Sequence, residues 1–141
     1  MIKFITGAKG TGKTKIILDM ANDNVEVAKG DIVFLTDTDR YMYSLRYQVR
    51  VVNVSGWLGD APISEEALMG FIRGILAGNH DIETLYIDGA HRMLGKTVQE
   101  MESFFTDLYA TAKDSETKFV LTVSEDEDNF PEFLSKYAKE A

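Results

Sequence analysis

The chain has 141 residues, 45% hydrophobic and 27% charged, the size and balance of one soluble globular domain spanning 1–141. It contains no cysteine, which excludes disulfides and thiolate metal sites, and no apolar run near the roughly 20 residues of a membrane span. A net charge of −8 argues against nucleic acid as a general partner, since counterion release needs a basic surface; a local basic face is conceivable only around Arg40, Arg46 and Arg50.

The first element is an apolar strand over 2–6. It runs straight into Gly7, Ala8, Lys9, Gly10, Thr11, Gly12, Lys13 and Thr14, which read G-x-x-x-x-G-K-T. A start that leads directly into this strand is no cleavable signal, so a reducing cytoplasm is the expected compartment. The motif is meaningful after a strand and before a helix, and both flanks comply. Its glycines let the backbone curl and aim successive N–H groups inward. The helix that begins near Gly12 adds unpaired N–H groups and the positive end of its dipole. Lys13 supplies an ammonium for phosphate oxygens, and the Thr14 hydroxyl is a hard ligand suited to Mg²⁺. Lys9 and Lys15 add nearby positive charge, either as phosphate contacts or as solvated lysines at a helix start. The motif alone therefore points to a nucleotide phosphate site.

The following helix is expected over 13–22 with Ile16, Ile17 and Met20 inward. Residues 32–35 form a continuous apolar run, as in a strand buried on both faces of a parallel sheet. After it come Asp37 and Asp39, which suit caps of the next turn; their D-x-D-R string also resembles the acceptor-binding aspartates of small-metabolite kinases. Residues 41–49 fit a short helix or a strand, 50–54 are a β-branched strand, and 56–62 a loop. Ser64 caps a helix opened by Glu65 and Glu66, with Leu68, Phe71, Ile72, Ile75 and Leu76 in one stripe, ended by Gly78 and Asn79. The strand over 85–87 delivers Asp88. Val98, Met101, Phe105, Leu108 and Ala112 line one long helix. The last strand, 119–123, leads to Ser124 and an acidic run over 124–128, read as a solvated loop. Pro131 opens a final helix with Phe133, Leu134, Tyr137 and Ala138 inward.

Five strands with intervening helices predict an α/β fold: an open, mainly parallel five-stranded sheet with helices on both faces, in three layers. Ligands in such sheets bind at the carboxyl ends of strands, so the remaining functional residues are sought after the other strands.

The glycine-rich loop and the apolar strand ending in Asp88 resemble the P-loop NTPase superfamily, with Asp88 in the place of the Walker B aspartate. Residues 1–14 carry the resemblance most specifically and 84–89 support it. The chain looks like the additional-strand ATPases, and like short P-loop proteins sometimes labelled twitching-motility ATPases. The resemblance implies ATP and Mg²⁺ as cofactors. Gly7 to Lys15 would bind nucleotide, Lys13 and Asp88 would act in catalysis, and Thr14 and Asp88 would hold the metal. ATPases of this type often place a glutamate base directly after the aspartate; here that residue is Gly89. His91, two residues on, is the alternative base, and Ser124 stands where a polar γ-phosphate sensor often sits, with Ser55 as a weaker candidate. A missing base and no assignable arginine finger imply a slow ATPase or switch that a protein partner or second subunit completes. The alternatives are a small-molecule kinase using Asp37 or Asp39, or a non-catalytic nucleotide-binding module. Strand order separates the first two. The additional-strand type inserts the 119–123 strand between the P-loop strand and the Asp88 strand, whereas many kinase-like proteins keep those two adjacent.

Overall fold

The computed structural model describes residues 1–125 and 131–134. The strands are β1 (Ile2–Gly7), β2 (Asp31–Thr36), β3 (Val49–Asn53), β4 (Ile82–Ile87) and β5 (Lys118–Ser124). The helices are α1 (Lys13–Asn24), α2 (Ser55–Leu58), α3 (Glu65–Gly78), α4 (Ala90–Leu94) and α5 (Glu102–Asp114). Single 3₁₀ turns occupy Met42–Ser44 and Val98–Glu100. None of the described helices is long and apolar enough to cross a membrane.

The sheet runs β1-β5-β4-β2-β3, and every pairing is parallel. β5 therefore lies between β1 and β4, the additional-strand arrangement. Because all strands point one way, Gly7, Thr36, Ile87 and Ser124 end at the same edge of the sheet.

Both sheet faces are covered, as the unbroken apolar strands require. Alternate residues separate cleanly. Ile2, Val33, Leu35, Leu85, Ile87, Phe119 and Leu121 face α3 and α5. Ile5, Ile32, Phe34, Tyr86 and Val120 face α1. On the first face Phe4 of β1 meets Phe105 of α5 edge to face, centroids 5.5 Å apart. The Ser64 hydroxyl accepts from the Ala67 N–H at 3.1 Å, the expected N-cap of α3.

Four expectations are corrected. Ile16 is 47% exposed, because α1 buries Lys13, Ile17 and Ala21, one line of i, i+4, i+8 positions. The long helix over 98–112 is split at Met101: Thr97 and Glu100 form a capping box that closes one 3₁₀ turn before α5 begins. The loop over 56–62 contains most of α2. α4 fills the stretch after Asp88, where no helix was anticipated. The last helix is described only to Leu134, which is buried, with Phe133 packed beside it; Tyr137 and Ala138 lie outside the described residues, as do residues 126–128 of the acidic run.

Candidate functional site

The site assembles from three strand ends. β1 runs into the glycine-rich loop, and Gly12, at φ 87° and ψ 19°, turns the chain into α1 from a left-handed conformation that suits glycine. Lys13 follows at once. It is buried, and its Nζ donates to the Ala8 carbonyl at 2.8 Å, across the loop. Thr11 also donates to that carbonyl, at 2.7 Å. The register Ile87↔Leu121 sets Asp88 beside Thr122, and Gly7↔Ser124 sets Ser124 beside the loop. A pocket of about 230 Å³ results, lined by Lys9, Gly10, Gly12, Lys13, Thr14, Asp88, Arg92, Thr122 and Ser124. That is below the roughly 300 Å³ of ordinary ligand pockets, so it suits a phosphate chain rather than a whole nucleotide.

Asp88 is 1% exposed, and a buried carboxylate must be compensated. Thr122 Oγ1 donates to its Oδ1 at 2.8 Å and itself accepts from the Gly89 N–H at 3.1 Å. Thr14 Oγ1 donates to the same carboxylate over longer distances, 3.3 and 3.5 Å. The Arg92 guanidinium lies 3.5 Å from Oδ2. Thr14 and Asp88 thus offer two hard oxygens next to the Lys13 ammonium. Among the described residues no group of three or more His, Asp or Glu side chains gathers to cage a metal by itself. That donor set fits Mg²⁺, which binds through one or two protein oxygens and takes the rest from water and phosphate.

Two residues of this pocket, Thr122 and Arg92, belong to no motif. Thr122 is a polar residue inside an otherwise apolar strand, a signal that was present. Arg92 stands four positions after Asp88, so one turn of α4 returns it to the carboxylate. Its principal partner is Asp37, which it grips through Nε at 3.1 Å and Nη2 at 3.2 Å. Burial opposes the guanidinium charge, but the hydrogen bonds and charge of Asp37 outweigh it, and its pKa rises.

Other candidates fall elsewhere. Lys15 does not line the pocket; it pairs with Asp19 at 3.0 Å on the outer side of α1. His91 also stays off the pocket wall. It is half-buried, its Nδ1 has no partner among the described residues, and burial, then the charges of Arg92 and Lys13, hold its pKa below the ordinary 6.5. Asp39 accepts from Asn53 at 3.1 Å, and Ser55 Oγ donates to the Asp37 carbonyl at 3.3 Å. Arg40, Arg46 and Arg50 form no common basic face: Arg46 pairs with Glu26, Arg50 with Asp31, and Arg40 lies over the Tyr41 ring.

A family model described as AAA domain matches residues 1–129. The fold is similar to the crystal structure of the flagellar accessory protein FlaH from Methanocaldococcus jannaschii, with a TM-score of 0.54 and 11% identity over 99% of this chain. The match takes in 66% of that chain, so this chain spans just under two thirds of its length. No curated protein matches the sequence.

Proposed function

The chain belongs to the AAA domain family within the P-loop NTPase superfamily, and on that premise we propose that residues 1–141 form one cytoplasmic domain that binds ATP with Mg²⁺. We read it as a slow ATPase or nucleotide-dependent switch, completed by a partner or a second subunit. The observation that carries this reading is the meeting of Lys13, Thr14 and Asp88 in one phosphate-sized pocket at the ends of β1, β4 and β5. In it the loop amides and Lys13 would hold the phosphates, and Thr14 and Asp88 would hold the metal. Bound Mg²⁺ would neutralise charge on the phosphate oxygens. Thr122 fixes the Asp88 carboxylate and the Gly89 N–H, so the aspartate is oriented before any ligand arrives.

Nothing favours the phosphotransferase alternative. β5 separates β1 from β4, and Asp37 is engaged by Arg92. His91 is not among the residues that line the pocket, so its placement does not support it as the base that Gly89 cannot supply.

Thermal melting with ATP, GTP and their diphosphates, with and without Mg²⁺, tests the reading. A ligand at about 100 times its Kd adds roughly 2.7 kcal/mol, a rise of about 8 °C for a domain of this size. ATP with Mg²⁺ is expected to give such a rise and Lys13→Ala to abolish most of it. Asp88→Asn should keep part of the rise while losing its dependence on Mg²⁺. A wild-type Tm indifferent to every nucleotide at millimolar concentration would overturn the proposal.

A further inference from the structure

The residue after Asp88 is a glycine for a visible reason. Gly89 sits at φ 90°, and a Cβ there would overlap the Arg92 guanidinium. The space that a side chain at 89 would enter is thus held by an arginine. Arg92 also lines two pockets at once: the phosphate pocket, and a neighbouring one of about 450 Å³ lined by Asp37, Thr38, Arg40 and Tyr41. Its Nη2 lies 3.2 Å from Asp37, 3.4 Å from the Asp88 carbonyl oxygen and 3.5 Å from Asp88 Oδ2. The side chain is 43% exposed, so part of the guanidinium arm faces solvent beside both partners.

Guanidinium binds carboxylate and phosphate through the same two-point geometry. Asp37 is therefore a competitor for whatever anion enters the phosphate pocket. From the arrangement we infer that Arg92 reads the terminal phosphate of the bound nucleotide. It stays on Asp37 when a diphosphate is bound and exchanges that carboxylate for the γ-phosphate of a triphosphate. This inference rests on the nucleotide reading above. The exchange has an opposing cost, since Asp37 is mostly buried and loses its cation when Arg92 leaves. A ligand shifts such an equilibrium only by what it offers to one state alone, and here that is the γ-phosphate. Asp37 also begins the loop that closes the second pocket, and its carbonyl accepts from Ser55. Release of Arg92 would thus be felt at the end of β2, away from the phosphates.

The test compares affinities of the full chain for Mg²⁺ with a non-hydrolysable ATP analogue and for Mg²⁺ with ADP, by titration calorimetry. Arg92→Ala is expected to lower the ratio of triphosphate to ADP affinity by about tenfold or more. Asp37→Asn should strengthen the triphosphate and leave ADP unchanged, because the guanidinium no longer has to be drawn off. Arg92→Lys should fall between wild type and Arg92→Ala, and if Arg92→Ala does not fold, Arg92→Lys set against Asp37→Asn carries the same comparison. An unchanged ratio of triphosphate to ADP affinity in the Arg92 variants overturns the inference, as does an equal loss of both ligands. Wild type that binds neither nucleotide overturns the nucleotide reading itself, and this inference with it. Intact binding with an unmoved ratio overturns this inference alone.

Discussion

A side chain at Gly89 would enter the space of the Arg92 guanidinium, so Gly89 cannot be enlarged without moving Arg92. Gly89→Ala is expected to lower stability by about 1–3 kcal/mol, from the left-handed backbone and the displaced guanidinium, and a drop in Tm of several degrees would record it. Gly89→Glu should suffer at least as much and should not speed hydrolysis, because the loop must distort before a carboxylate can reach the pocket. His91 gives a pH dependence with a definite sign. Its folded pKa lies below the ordinary 6.5, so on acidification the unfolded chain takes up the proton first. Its contribution to stability is present above about pH 6.5 and is lost as pH falls through the folded pKa. His91→Gln should flatten the fall in Tm between about pH 7 and pH 5 relative to wild type. The sequence made the glycine-rich loop legible because that chemistry is packed into eight consecutive residues. It also pointed to Asp88 and Ser124 by their places after strands. Arg92 was hidden because its partner Asp37 stands 55 positions earlier and only the sheet brings them together. Lys15 looked like part of the loop, yet one residue past Thr14 the helical turn carries it to the outer side.

Elements were readable where a local signal was strong. The α3 boundaries followed from Ser64, two glutamates and a five-residue apolar stripe, and the cap is made as expected. Ser64→Ala should cost about 1 kcal/mol, read as a lower Tm with nucleotide affinity unchanged, since α3 lies away from the pocket. Short helices gave no periodicity to read: α2 and α4 span four and five residues. The apparent helix over 98–112 kept a helical spacing across the 3₁₀ turn, because Val98 and Met101 are three apart and both are buried. Its capping box, Thr97 with Glu100, was the local sign of the break. Ile16 was misplaced because neighbouring residues on a helix point about 100° apart, and only Ile17 lies on the line of Lys13, Ile17 and Ala21 that α1 buries.

At the scale of the molecule, strand order was the feature that periodicity left open, since each strand reads alike wherever it pairs. The order found places the Asp88 strand one strand removed from the loop strand, and the pocket bridges the β5 end between them. Among the described residues the pocket is lined by three cations, Lys9, Lys13 and Arg92, and by the oxygens of Thr14, Asp88, Thr122 and Ser124, but by no carboxylate base beside the glycine. Turnover of ATP by the isolated chain is therefore expected well below the common enzyme median of about 10 s⁻¹, in the slow regime of switch proteins that await a partner. Steady-state phosphate release from pure protein measures it. Fast release that disappears in Lys13→Ala would mean that a base exists within the chain after all.

The same strand order sets a schedule for the growing polypeptide. β1 is made first, yet among the described strands it pairs with β5 alone, Ile2 with Phe119. At about 5–20 residues per second a ribosome needs roughly 6–25 s to make the chain between those partners. Through that interval β2, β3 and β4 can associate, while the glycine-rich loop hangs from a strand without a neighbour. The phosphate pocket, which includes Thr122 and Ser124, is therefore complete only once the last described strand has joined the sheet.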